Sequence, residues 1–213
     1  MSEVTGAIDV VFTALPLERV ESDVAVAGFF TDERPLRGGA ARADWRLCGG
    51  LSRRIESGDL SGKSGEAMLI ACGRALFAPR LMLLGLGERG SYDRLRVSDE
   101  FRSALERCRK LRVPRVALSP LGIAPDDVPR HAAAVVAGIV GAWSKVPEPM
   151  TLTLCVPRSE VAGVYRAFES ACDAAGETGI RLATDDSSLE ARSRRPRLDS
   201  ASTASRRGKR AAT

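Results

Sequence analysis

Two glycine-punctuated loops carry the spacing of nucleotide chemistry in this sequence. GLGERG at 85–90 follows the pattern G-x-G-x-x-G, in which glycines allow a tight turn and a close backbone approach to a pyrophosphate. GDLSGKS at 58–64 resembles the phosphate loop G-x-x-x-x-G-K-[ST], whose successive N–H groups cradle an anion. Neither loop keeps the context its chemistry needs. After Gly90 the segment SYDRLRV intervenes before the helix expected to open at Ser98, so no helix N-terminus meets a bound phosphate. The second loop has three residues between its glycines instead of four and follows a helical segment instead of a strand. The first therefore reads as a strand-to-loop turn and the second as a mimic.

Other candidate chemistry is sparse. His131 is the single histidine and sits at an expected helix start after Asp126, Asp127 and Pro129. It is expected to be exposed, with the two aspartates serving helix capping and the dipole. The five cysteines, at 48, 72, 108, 155 and 172, lack metal or redox spacing and are expected to be reduced and mostly buried. The chain has neither Asn nor Gln, which removes carboxamide chemistry from any site. No metal ligands, catalytic residues or cofactor are nominated.

The charge is concentrated at one end. Of the net +5, residues 190–213 carry +6, from eight basic and two acidic residues, while the remainder carries −1. Arg192, Arg194, Arg195, Arg206, Arg207 and Arg210 could neutralise phosphates of a nucleic acid or meet an acidic partner. No aromatic residue is interleaved to stack on bases.

The elements that would position any site alternate. Strands are expected at 8–15, 23–30, 66–72, 80–85, 115–119, 151–156 and 180–184. Asp44 is expected to cap a helix running to Ile55, and further helices are expected from Ser98, from about Arg130 to Ala142, and from Ser159. The runs at 66–72 and 80–85 are nearly all apolar, which suits strands covered on both faces. Ala133, Ala137, Gly138 and Gly141 form a small-residue face for close helix packing. This alternation predicts a three-layer α/β/α domain with a mixed, mostly parallel sheet over 1–185, followed by a disordered Arg-rich tail over 186–213. The longest apolar stretches are too short to span a bilayer, and the N-terminus lacks the basic region of a signal peptide, so no membrane association is expected and the expected compartment is the cytoplasm.

The run LRGGAARADWRLCGGLSRRI, then GDLSGKSGE, then LMLLGLGERG resembles the N-terminal half of the leucyl (cytosol) aminopeptidases, with Asp44, Gly49, Gly50, Gly62, Gly65 and Glu66 among the matching positions. The resemblance implies a macro-domain-like fold. The segments that carry the family's metal ligands and catalytic residues, similar to NTDAEGRL and a Lys-containing glycine loop, do not follow. The expectation is thus a non-catalytic binding or assembly module, an accessory subunit with a protein partner or a second copy. An alternative is a nucleotide or ADP-ribose-type ligand in a cleft formed by Gly38, Gly39, Gly85, Gly87, Gly122 and Asp126. A further alternative is nucleic-acid binding through the tail.

Overall fold

The computed structural model describes residues 8–143, 149–176 and 178–185. Alternation sets the first element: Ile8, Val10 and Phe12 of β1 (Ile8–Thr13) are buried, whereas Asp9 and Val11 are half-buried. In β2 (Val24–Phe29) nearly every residue is buried, as covering on both faces requires.

The single helix expected from Asp44 is two helices. Cys48 (φ 54°) and Gly49 (φ 77°) occupy left-handed conformations that end α1 (Gly38–Arg46) and turn the chain into α2 (Gly50–Glu56). Asp44 does cap, but across this break. From the last turn of α1 its carboxylate accepts from the N–H groups of Leu51 (2.8 Å) and Ser52 (3.1 Å) and from Ser52 Oγ (2.6 Å).

β3 (Ala67–Ala71) and β4 (Arg80–Gly85) form an antiparallel pair. β4 is buried, but β3 alternates between exposed and half-buried, so the two-sided covering expected for 66–72 does not exist. α3 (Arg94–Lys110) opens one turn before Ser98, because Asp93 is the N-cap and accepts from Arg96 N–H at 2.9 Å. Its buried stripe is Val97, Phe101, Ala104, Leu105 and Cys108. β5 (Arg115–Leu118), a 3-10 turn at Pro125–Asp127, α4 (Val128–Trp143), β6 (Met150–Cys155), α5 (Val161–Ala175) and β7 (Ile180–Thr184) complete the alternation. The small-residue face of α4 is divided. Gly138 lies where a Cβ would stand 2.5 Å from Ser98 O, whereas Ala133 and Ala137 are exposed.

The seven strands run in the order β3-β4-β2-β5-β6-β1-β7. All pairs are parallel except β3 with β4. Successive residues of β2 serve opposite layers. Val24 and Val26 pack into the cluster that includes α3, α4 and α5, whereas Ala25, Ala27 and Phe29 join the cluster with α1 and α2. The result is a three-layer α/β/α domain with a mixed, mostly parallel sheet. Alanines dominate where α1 approaches (Ala25, Ala27, Ala117, Ala40 and Ala43), which lets helix and sheet pack closely. The loops after β1, β2, β5 and β6 all emerge at the carboxyl ends of parallel strands, the edge where such sheets form crevices.

Candidate functional site

The loops after β2 and β5 enclose a cavity of about 350 Å³. A second cavity of about 360 Å³ shares Gly38, Gly39, Ser119, Pro120 and Pro125 with it and extends past Leu15 and Cys155. Together they form one groove, and the amino end of α1 stands at its middle. Gly38 (φ 55°) begins that helix. Gly39 must lack a side chain, because a Cβ there would stand 2.6 Å from Ser119 Cβ and 2.9 Å from its Oγ.

Ser119 is the polar group at the centre of this junction. It is 5% exposed, its N–H donates to Val26 O at 3.0 Å, and its carbonyl accepts from Leu121 N–H at 2.7 Å. Its hydroxyl bonds to no group among the described residues. Above it, α1 has no side-chain cap; its first bond is Ala41 N–H to Arg37 O at 3.2 Å. The N–H groups of Gly38, Gly39 and Ala40 are left open among the described residues. A hydroxyl beside uncapped helix N–H groups can hold an anion.

The surround is closely packed. Tyr92 packs edge-on to Phe30 (centroids 5.0 Å apart), and its hydroxyl donates to the Leu121 carbonyl. Gly122 (φ 83°) is required there, since a Cβ would lie 2.6 Å from Phe30 Cζ. At the mouth, Glu33 bridges Arg37 (3.3 Å) and Arg89 (3.1 Å), which leaves one net positive charge among the three. Cys155 lines the far arm, and burial pushes its thiol up to about 12, so it is no thiolate nucleophile at neutral pH.

Several N–H groups of the other glycine loops are already bonded within the chain, and of these loops only Arg89 lines the groove. In the GDLSGKS segment the chain supplies its own anion. The Glu66 carboxylate accepts from Ser61 Oγ (2.6 Å), Gly62 N–H (2.8 Å) and Ser61 N–H (2.9 Å). These bonds, the Ser61 hydroxyl foremost, hold its carboxyl below the usual range. In GLGERG, Leu86 N–H donates to Phe29 O, Gly87 N–H to Gly62 O and Arg89 N–H to Asp32 Oδ1. Gly85 is a packing site: its Cβ would lie 2.2 Å from Lys63 O.

Of the six residues expected to form the cleft, Gly38, Gly39 and Gly122 line it together. Gly85 and Gly87 do not, although Arg89 of their loop does, and exposed Asp126 lies one residue beyond the last lining position, Pro125. Asp127 pairs with Arg130 at 3.1 Å. His131 is half-buried rather than exposed, with a buried Nδ1 that has no partner among the described residues. Arg192, Arg194, Arg195, Arg206, Arg207 and Arg210 lie outside the described residues. Sequence reasoning passed over Ser119; its signal was a lone hydroxyl residue ending the apolar strand RVAL. Among the described residues no cluster of three or more His, Cys, Asp or Glu side chains could hold a metal ion, and no helix is long and apolar enough to cross a membrane.

A larger depression, of about 710 Å³, lies beside Trp45, which is 77% exposed. Its carboxylate, that of Asp44, is committed to α2.

Comparison with known proteins agrees with this architecture. A probable cytosol aminopeptidase of Burkholderia multivorans is 27% identical over 172 residues, covering 76% of this chain and 33% of that protein. A tomato leucine aminopeptidase variant superposes with a TM-score of 0.59 at 17% identity, over 80% of this chain and 36% of that one. The Oceanobacillus iheyensis macrodomain with ADP superposes with a TM-score of 0.56 at 11% identity, over 74% of this chain and 88% of that one. The matched part spans a third or less of the curated relatives it matches. The model of the cytosol aminopeptidase family, N-terminal domain, matches residues 26–144, more than half of the chain. The match runs from β2 through α4: this chain belongs to the cytosol aminopeptidase family, through its N-terminal domain.

Proposed function

We propose that this chain is a non-catalytic binding module whose ligand places an anionic group at the amino end of α1. The observation that supports it is the Ser119 hydroxyl, on a residue 5% exposed and without a partner among the described residues, beside the uncapped amino end of α1. Each arm of the groove falls in the range of small-molecule sites, about 300–1,000 Å³. Solved macrodomains with ADP and with ADPR share the fold, which makes ADP-ribose the first probe to try. Recognition here would use main-chain N–H groups, a hydroxyl and arginine, since the sequence has no carboxamide. Isothermal titration of the full chain with ADP-ribose, ADP and inorganic phosphate tests this. Ser119→Ala is expected to weaken binding about tenfold without lowering the melting temperature. No heat from any of the three at millimolar concentration, or equal affinity in the variant, overturns the proposal.

A second reading is assembly with a protein that supplies the rest of an aminopeptidase. It is supported by the family match together with the third or less of each relative that the chain spans. The names of those relatives also favour a cytoplasmic setting. Affinity purification of the tagged chain from its own cells should recover an aminopeptidase; recovery of the chain alone refutes this reading.

A further inference from the structure

The two edges of the sheet are built differently. β7 presents Arg181, whose guanidinium grips the Asp9 carboxylate at 2.6 and 3.1 Å. A fixed charge of that kind discourages edge-to-edge pairing. β3 has no such guard. Its residues are Ala67, Met68, Leu69, Ile70 and Ala71, without charge or proline, and Leu69 is 44% exposed.

The register with β4 determines which main-chain groups remain open. Glu66 O accepts from Gly85 N–H at 3.0 Å, and Cys72 N–H donates to Pro79 O at 2.9 Å. Antiparallel pairing alternates bonded and non-bonded residues, so Met68 and Ile70 bond to β4. Ala67, Leu69 and Ala71 therefore turn their N–H and C=O groups away from β4, to an edge that no other described strand pairs. An extended strand can satisfy the whole row at once, in place of water.

We propose that the occupant is β3 of a second copy, antiparallel, with the two-fold axis at Leu69. The strand Ala-Met-Leu-Ile-Ala is close to a palindrome. Under the two-fold, Ala67 opposes Ala71, Met68 opposes Ile70 and Leu69 opposes its own counterpart. The outward residues of the two strands then face each other in register and exchange about six main-chain hydrogen bonds. No charge meets a like charge. Glu66 falls opposite Cys72, and its carboxylate is already held by Ser61 and Gly62. The alanines let the strands approach, and each half-exposed Leu69 covers the other. The two sheets join into one, while the groove at the other strands stays open, so this pairing and the ligand proposal stand or fall separately.

Sedimentation velocity of the full chain from about 10 µM to about 1 mM should show a dimer that grows with concentration. Leu69→Lys puts a charge on the axis and should raise the dissociation constant about tenfold or more, with the melting temperature unchanged. Ala71→Pro removes an outward N–H and no bond to β4, and should weaken the dimer likewise. Arg181→Ala, on the other edge, should not. A wild-type monomer across the whole range, or a dimer indifferent to both β3 variants, overturns the proposal.

Discussion

Replacing Glu66 with alanine should destabilise the fold by about 2–4 kcal/mol. The carboxylate binds two N–H groups and a hydroxyl at 2.6–2.9 Å, and each hydrogen bond to a charged acceptor contributes roughly 1.5–3 kcal/mol. The three do not add. The Ser61 hydroxyl is only half-buried and can turn to water, whereas Gly62 is buried and its N–H donates to no other acceptor among the described residues. Gly62 is also a wedge: a Cβ there would stand 3.0 Å from Phe29 and from Thr31 N, and its carbonyl accepts from Gly87 N–H at 2.8 Å. Loosening it disturbs the loops after both β2 and β4. For a domain of this size the loss corresponds to a fall of about 5–15 °C in melting temperature, read by circular dichroism. The emptied N–H groups would then accept an external anion. Inorganic phosphate at ten times its dissociation constant for the emptied loop should stabilise Glu66→Ala by about 1.4 kcal/mol more than it stabilises the wild type. The pH dependence follows from the sign of the shift. The folded-state pKa is depressed, so the contribution is fully present above the unfolded pKa and lost as pH falls through the folded value. The gap between wild type and variant should begin to narrow as pH falls below the usual glutamate value of about 4.3 and close below the depressed folded value. A melting temperature within about 1 °C of wild type at pH 7, or the same phosphate response in both proteins, refutes this account of the loop.

Two further outcomes follow from hydrogen-bonded carboxylates. Asp44→Ala should cost about 1–2 kcal/mol in urea unfolding, because α2 loses its cap, whereas Asp44→Asn should cost a few tenths; equal losses would show that the cap is not what Asp44 contributes. Burial raises the pKa of Glu100, which is 6% exposed, against the opposing pull of the Ser64 hydroxyl at 2.9 Å. Its folded form resists ionisation, so wild-type stability falls as pH rises from the unfolded value toward the folded one. Glu100→Gln should gain on the wild type between about pH 4 and neutrality, and a constant or reversed gap in urea titrations at the two ends would sink the argument.

The central strands were legible because burial on both faces leaves a continuous apolar run, as at Arg80–Gly85, and Ile180–Thr184 appeared with its expected bounds. β3 has the same local texture and a different fate, since strand order is a long-range property that no window of sequence contains. The start of α3 was misplaced because Asp93 and Ser98 both satisfy the local rule for an N-cap. The contact of Tyr92 with Phe30 anchors the chain just ahead of Asp93. The α1–α2 break turns on the left-handed backbone of Cys48 and Gly49, of which only the glycine was a visible signal.

Composition and periodicity by themselves determined the layer architecture, the neutrality of the body against the basic tail, and the failure of both glycine loops as nucleotide motifs. Spacing and apolar pattern are local, and these conclusions need nothing else. The tertiary structure decided where an anion could bind. Ser119 follows one strand and Gly39 lies in the first turn of a helix eighty residues earlier in the chain, and only the folded sheet brings that hydroxyl to within 2.9 Å of the place where a Gly39 side chain would begin. It also decided that Glu66 fills the loop whose sequence only mimics a phosphate loop, because a carboxylate a few residues away reaches its N–H groups once Gly62 is wedged against Phe29 and Thr31.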